Sequence, residues 1–297
     1  MKFIHAALFI IIFMIVYMFI RLVCIFAFGL TIGGAGAGLL DLMRQGAGVG
    51  KAQQDAASLA AAKIVNDFAI NNQSVIVAFS SLISLLIFMK IYSIRKLNFF
   101  STMRLDAAPS GMDVRYALFA GLSSNYIASI VLTLIYSTGL FKDALDSYQE
   151  LMQASMGNEG TFRLLLGLGL IVPVVEEIMF RGMVSYELKN ALPLSAVIIV
   201  QGVLFGMYHM NLVQMCYTIP LGVYFGYIAY KAGSLWPAIA AHMAMNVASV
   251  FNNIEAVEKL IYMSDFSWVF IAIFIIMCVS SLRYFIKKEP GANAPAG

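Results

Sequence analysis

Glu176 and Glu177 stand side by side in an apolar segment. Residues 164–175 before them carry no charge, and the next charge after them is Arg181. A carboxylate in the middle of a membrane helix costs about 2.5–3.5 kcal/mol even on insertion scales that rate charge cheaply. Two acids and a guanidinium in one such run therefore read as a site. Glu177 and Arg181 are four residues apart with the acid first, the better order for an ion pair across one helical turn. Glu176 points about 100° away and can face a different neighbour. The spacing predicts a structural pair, Glu177–Arg181, and leaves Glu176 free for chemistry.

Two of the three histidines supply candidate partners. His209 ends the run Phe205-Gly-Met-Tyr-His209, and His242 begins His242-Met-Ala-Met-Asn246. His242 and Asn246 share a helical face at i,i+4 spacing, and an amide in an apolar run needs a partner. Each feature alone has a plain structural reading: a membrane histidine can bond a neighbouring helix, and a Glu–Arg pair can fix helix register. The set of an acid pair, a histidine, and a histidine with an amide, on three separate segments, asks for more than packing. His5 is placed at the membrane interface without a role.

The elements that must position these groups are membrane helices. The chain of 297 residues is 61% hydrophobic and 12% charged, more apolar surface than a soluble domain needs, and apolar runs near the spanning length recur. An all-α polytopic membrane protein is expected, with about eight transmembrane helices near 3–30, 69–92, 116–140, 162–189, 192–213, 215–231, 234–252 and 266–286. Arg21 and the glycine-rich residues 29–38 blur the end of the first, which is too long for a simple cleavable signal. Residues 1–150 form an N-terminal part with polar loops at 41–67 and 93–115. Residues 160–255 carry the candidate site, and 266–297 hold the last span and a short disordered tail.

Lys90, Arg95, Lys96, Arg104 and Arg115 crowd the loop after the second span, Lys231 follows the sixth, and Arg283, Lys287 and Lys288 follow the eighth. Asp143, Asp146, Glu150 and Glu159 lie in one opposite loop, with Glu255, Glu258 and Asp265 in another. The positive-inside rule then puts both termini in the cytoplasm. A net charge of +3 is too small to argue for nucleic acid. Cys24, Cys216 and Cys278, odd in number and far apart, read as buried hydrophobes rather than a disulfide or metal framework. Gly222 and Gly226 give a small-x-x-x-small spacing that helix packing explains.

Glu176-Glu177-x-x-x-Arg181, then Phe205-x-x-x-His209, then His242-x-x-x-Asn246 resembles the ordered signature of the CAAX-processing and bacteriocin-processing (CPBP, or Abi) intramembrane proteases. The flanking Pro173-Val-Val-Glu-Glu-Ile-Met-Phe-Arg-Gly182 and Gly233-Ser-Leu-Trp-Pro-Ala-Ile-Ala-Ala-His242 are also similar, over about 160–255. The resemblance implies an eight-helix endopeptidase with an intramembrane active site, in a bacterial inner membrane. Its substrates would be membrane-associated, prenylated CAAX-like or bacteriocin-like peptides, with the lipid bilayer as its other partner.

Two mechanisms fit that resemblance. In one, Glu176 with His209 activates a water while His242 and Asn246 stabilise the oxyanion, with Glu177 braced by Arg181 and Phe205 in a supporting position. In the other, Zn²⁺ sits between Glu176, His209 and His242. The first gives Asn246 a definite role and is preferred. A non-catalytic protein, such as a bacteriocin immunity factor or proton-coupled transporter, is the rival class. Against transport stand the missing internal repeat and the missing broken-helix pairs.

Overall fold

A computed structural model describes residues 2–31, 51–157, 159–263, 265 and 267–291. The described residues are helical and turn structure throughout. The helices are α1 (Lys2–Thr31), α2 (Lys51–Asn71), α3 (Gln73–Ile94), α4 (Gly111–Ser137), α5 (Lys142–Gly157), α6 (161–188), α7 (Leu194–Tyr208), α8 (Leu212–Ala232), α9 (Trp236–Asn252), α10 (255–263) and α11 (Ser267–Lys287). A single helical turn, Phe99–Thr102, interrupts the connector between α3 and α4.

The fold is an all-α polytopic membrane fold. Helices stand at all eight ranges expected to span. Five described helices, α1, α3, α4, α8 and α11, are long and apolar enough to cross a membrane by length and composition, and α7 is a shorter apolar helix. Three expected loops are instead largely helical: 51–71 as α2, 142–157 as α5 and 255–263 as α10. The residues there are polar but good helix formers, so a polar run was mistaken for an irregular one. Arg21 does not mark the end of the first span, because α1 continues past it to Thr31. Of the cysteines, Cys24 is buried but Cys216 is exposed, so the buried reading fails at Cys216. The glycine-rich stretch beyond Thr31 and the C-terminal tail lie outside the described residues.

Local chemistry fixes the ends of these helices. Ser110 caps α4: its Oγ accepts the Asp113 N–H at 3.1 Å while Asp113 accepts the Ser110 N–H at 3.2 Å, a capping box. Asp113 also pairs with Lys288 at 3.2 Å and accepts the Tyr284 hydroxyl at 2.9 Å, tying the end of α11 to the start of α4. Glu159 is buried and accepts the Ser74 N–H at 2.8 Å and the Ser74 hydroxyl, so it caps α3 from the approach to α6. At the opposite end of α6, Glu187 accepts from Arg95 at 2.5 Å and from Tyr92 at 3.1 Å. Polar ties thus clamp both ends of α6, the helix that carries the two acids.

Close helix crossings bring the candidate residues together. Gly202 of α7 meets Gly222 of α8 backbone to backbone, which accounts for the small-residue spacing noted in α8. Gly121 of α4 faces the Ala241 carbonyl of α9, one residue before His242. A side chain there would strike backbone, and packed interiors resist such insertion at about 1–3 kcal/mol. Gly121→Val is therefore expected to lower the unfolding temperature of the detergent-solubilised protein. Gly111→Ala, where a Cβ meets nothing within 4 Å, is expected to leave it in place. Equal melting of the two variants would contradict this crossing.

Candidate active site

Helix α6 is not a uniform α-helix. It widens to π geometry over Leu165–Ile171 and again over Ile178–Val184, leaving a short α segment, Val172–Glu177, that holds Pro173 and both acids. Such widenings are uncommon and cluster at functional sites. Pro173 gives the first one a cause, since a proline inside a helix removes an N–H and crowds the preceding turn. Val172 N–H donates five residues back, to Gly167 O. In that register the next carbonyl, Leu168, would face the nitrogen of Pro173, which has no hydrogen. Asn246 Nδ2 fills the place, donating to Leu168 O at 2.9 Å. The partner that an intramembrane amide requires is thus a carbonyl left over by a proline.

Behind the acids lies a buried charge cluster. Glu177 is fully buried, and its Oε1 lies 2.9 Å from Arg181 Nη1 and 2.8 Å from His242 Nδ1. The Arg181 contact is one of charge rather than a directed hydrogen bond; the guanidinium donates instead from Nη2 to Gly222 O at 3.3 Å. Gln201 Nε2 donates to the same carbonyl at 2.8 Å. Phe205 packs under the whole group. Its ring lies 4.3 Å from the Arg181 guanidinium, 5.1 Å from the His209 ring and 5.6 Å from the His242 ring. A guanidinium over an aromatic face is attractive, more so when desolvated.

Glu176 faces the other way, as its 100° offset predicts. Together with Phe205, His209, His242 and Asn246 it lines a cavity of about 690 Å³, whereas Glu177 and Arg181 do not. Of these, His242 comes within ion-pair reach of Glu176, with Nε2 3.8 Å from Glu176 Oε2. That gap is wide enough for a shared hydroxyl or water and too long for a direct hydrogen bond. His209 shares the cavity but makes no ion-pair contact with Glu176.

The position of His209 has a simple origin. α7 has 15 residues and is about 22 Å long, short of the roughly 30 Å hydrocarbon layer. It stops at Tyr208, and His209 follows as its C-cap. Met210 turns the chain with φ of 51°, and Asn211 caps α8 by accepting the Gln214 N–H at 3.0 Å. Met207, Met210 and Leu212 of this connection are exposed, while His209 lines the same cavity as Glu176.

Several lining groups were not singled out by sequence. Tyr17 of α1 bonds Ser81 of α3 at 2.8 Å and meets the Tyr208 ring at 5.6 Å. Arg21 lies one turn further along α1 and also lines the cavity. Also on the lining, Tyr148 of α5 and Tyr217 of α8 share a 2.9 Å hydroxyl contact, and burial raises the Tyr148 hydroxyl pKa above its ordinary value. The aromatic residues looked like ordinary core, and only Arg21 had a signal, a lone guanidinium in an apolar span.

Zinc does not fit this arrangement. Among the described residues no three His, Cys, Asp or Glu side chains, the expected set of Glu176, His209 and His242 included, gather at metal-binding spacing. No step is routed through a metal.

The pairing of Pro173 with Asn246 is testable. Asn246→Leu strands the Leu168 carbonyl, and an unsatisfied buried acceptor costs about 1–3 kcal/mol. In a Pro173→Ala background the restored N–H can take that carbonyl, so the cost of Asn246→Leu should fall below about 1 kcal/mol. Additive effects in unfolding of the four proteins would separate the two residues.

Residues 158–248 match the family model described as type II CAAX prenyl endopeptidase Rce1-like, and the matched stretch holds Glu176, Glu177, Arg181, Phe205, His209, His242 and Asn246. No curated protein and no solved structure matches the chain. Over residues 158–248, this multi-pass membrane chain is thus similar to the CAAX protease family of peptide hydrolases.

Proposed function

We propose that the chain is a metal-independent intramembrane endopeptidase whose general base is Glu176. The observation that carries this reading is the split of the two acids: Glu176 faces a cavity shared with His209, His242 and Asn246, while Glu177 is buried behind it against Arg181 and His242. A water held by Glu176 and His209 attacks the peptide carbonyl as Glu176 takes its proton. The oxyanion accepts from His242 Nε2 and from the second Asn246 Nδ2 hydrogen. Glu176 then gives its proton to the leaving amine.

His242 can donate from Nε2 while Nδ1 donates to Glu177 only as an imidazolium. One preorganised oxyanion donor contributes roughly 2.7–4 kcal/mol.

The cavity takes its lining from the halves of α1, α4, α6, α8 and α9 nearest α5, the end of the bundle opposite Lys2 and Lys287. Asp143, Asp146, Glu150 and Glu159 lie at the cavity end, and Arg95, Lys96, Arg104, Arg115 and Lys288 at the other. By the positive-inside rule both termini are cytoplasmic, so the cavity opens outward and takes membrane-inserted or lipidated peptides presented from that side.

Two measurements test this. Glu176→Gln should lower cleavage of a lipidated peptide library at least about a hundredfold, within the usual range for a lost general base, and undiminished cleavage would sink the assignment. In a protein lacking its three native cysteines, Met152→Cys at the cavity wall should react with a membrane-impermeant maleimide in intact cells. Glu289→Cys should react only after permeabilisation, and the reverse pattern would invert the topology.

A further inference from the structure

Tyr17 and Tyr208 carry hydroxyls that the catalytic scheme leaves unused. Both are buried, and both line the cavity with Glu176 and His209. Tyr17 lies on α1, and Tyr208 ends α7 one residue before His209. The Tyr17 hydroxyl bonds Ser81 Oγ of α3 at 2.8 Å, and Ser81 is fully buried. The two tyrosine rings meet edge-on at 5.6 Å, and their hydroxyls are near enough to interact. The Tyr208 ring also packs on His209 at 5.5 Å and on Phe180 at 5.6 Å. Three helices thus bring the hydroxyls of Ser81, Tyr17 and Tyr208 together at the wall beside Glu176.

Charge sets the direction of such a chain. Each hydroxyl has one hydrogen to give. The Glu176 carboxylate and the Arg21 guanidinium both act on the two tyrosine hydroxyls, the anion drawing their hydrogens and the cation repelling them. In the favoured arrangement Ser81 donates to Tyr17, Tyr17 donates to Tyr208, and the Tyr208 hydrogen is released toward the cavity. Donors in series polarise one another and strengthen the last bond. A second tyrosine–serine pair is built differently. Tyr224 bonds Ser281 at 2.7 Å, but Ser281 donates to the Tyr116 carbonyl at 2.7 Å, so its chain ends on backbone, and none of those residues lines the cavity.

We propose that Ser81, Tyr17 and Tyr208 form a directed hydrogen-bond chain that ends on the Glu176 carboxylate and holds it toward the attacking water. This rests on the peptidase reading and adds positioning residues to it, which act through Glu176. A carboxylate on a flexible side chain turns in an open cavity, and a donor on one oxygen gives the other a defined place. A misplacement of about 1 Å at a reacting group can cost about a hundredfold in rate. Tyr17 and Ser81 lie outside the matched residues 158–248, so α1 and α3 serve the site from beyond the family match.

The test measures cleavage of a lipidated peptide and thermal unfolding, both on the purified full-length protein in detergent. Tyr17→Phe and Tyr208→Phe keep the rings and remove only the hydroxyls. Each should lower kcat about tenfold with KM unchanged, as a misplaced base requires. The double variant should lose no more than either alone, because the two act as one chain. Tyr224→Phe, which breaks the pair that ends on backbone, should lower the unfolding temperature and leave kcat in place. A further readout needs no activity: the shift in unfolding temperature caused by Tyr208→Phe should fall by about half or more in a Glu176→Gln background, where the chain has lost its charged acceptor. Unchanged kcat in both tyrosine variants, or multiplied losses in the double variant, overturns the chain. Equal melting shifts with and without Glu176 overturn it whatever the activity. If no protein cleaves and the melting effects stay coupled, the chain stands and the peptidase reading falls. Cleavage surviving in Glu176→Gln with coupled melting removes the catalytic assignment alone.

Discussion

One oxygen organises this structure. Glu177 Oε1 lies within 3 Å of both Arg181 and His242, three ionisable groups with almost no access to solvent. Removing any one would leave an uncompensated buried charge, which costs several kcal/mol, whereas the full set is held by mutual attraction. The cluster ties α6 to α9 through His242 and to α8 through the Gly222 carbonyl. The helices that bear the site are therefore joined by electrostatics at their crossing rather than by apolar packing alone, which is weak as a driving force between helices in lipid.

That constraint explains why the two adjacent acids cannot exchange roles. Glu177 is turned into protein and has its Oε1 occupied twice, while its other oxygen has no hydrogen-bond partner among the described residues. Glu176 is turned into the cavity and faces His242 Nε2 across 3.8 Å. The same imidazole thus touches both acids through its two nitrogens. A proton placed on one face of the ring is felt on the other, so the buried pair sets what His242 can offer to the cavity.

Much of this was legible in the sequence. The helical offset separates Glu176 from Glu177, the i,i+4 spacing pairs Glu177 with Arg181, and helices stand where apolar runs were read. What could not be read is of three kinds. Polar helices α2, α5 and α10 lack the apolar signal that marks a span, so they passed for loops. The contact between His242 and Glu177 joins residues 65 apart, and no local pattern encodes which ring nitrogen meets which acid. The turn at His209 depends on α7 being short, and a continuous apolar text through Met207 and Leu212 hides its end.

Pro173 shows how a residue can serve a site it does not touch. A proline three residues before Glu176 looks like a defect in a helix that must carry two acids. The widened turn before it leaves Leu168 O without a ladder partner, and the amide that answers is Asn246, four residues beyond His242 on α9. The proline therefore holds Asn246 by one hydrogen and leaves its other hydrogen and its orientation defined. A free amide on α9 would have two rotamers and two faces to choose from, while one bonded to the Leu168 carbonyl has lost that freedom before any ligand arrives. Preorganised donors need no reorientation when charge develops, and in this site the preorganisation originates in a missing backbone N–H.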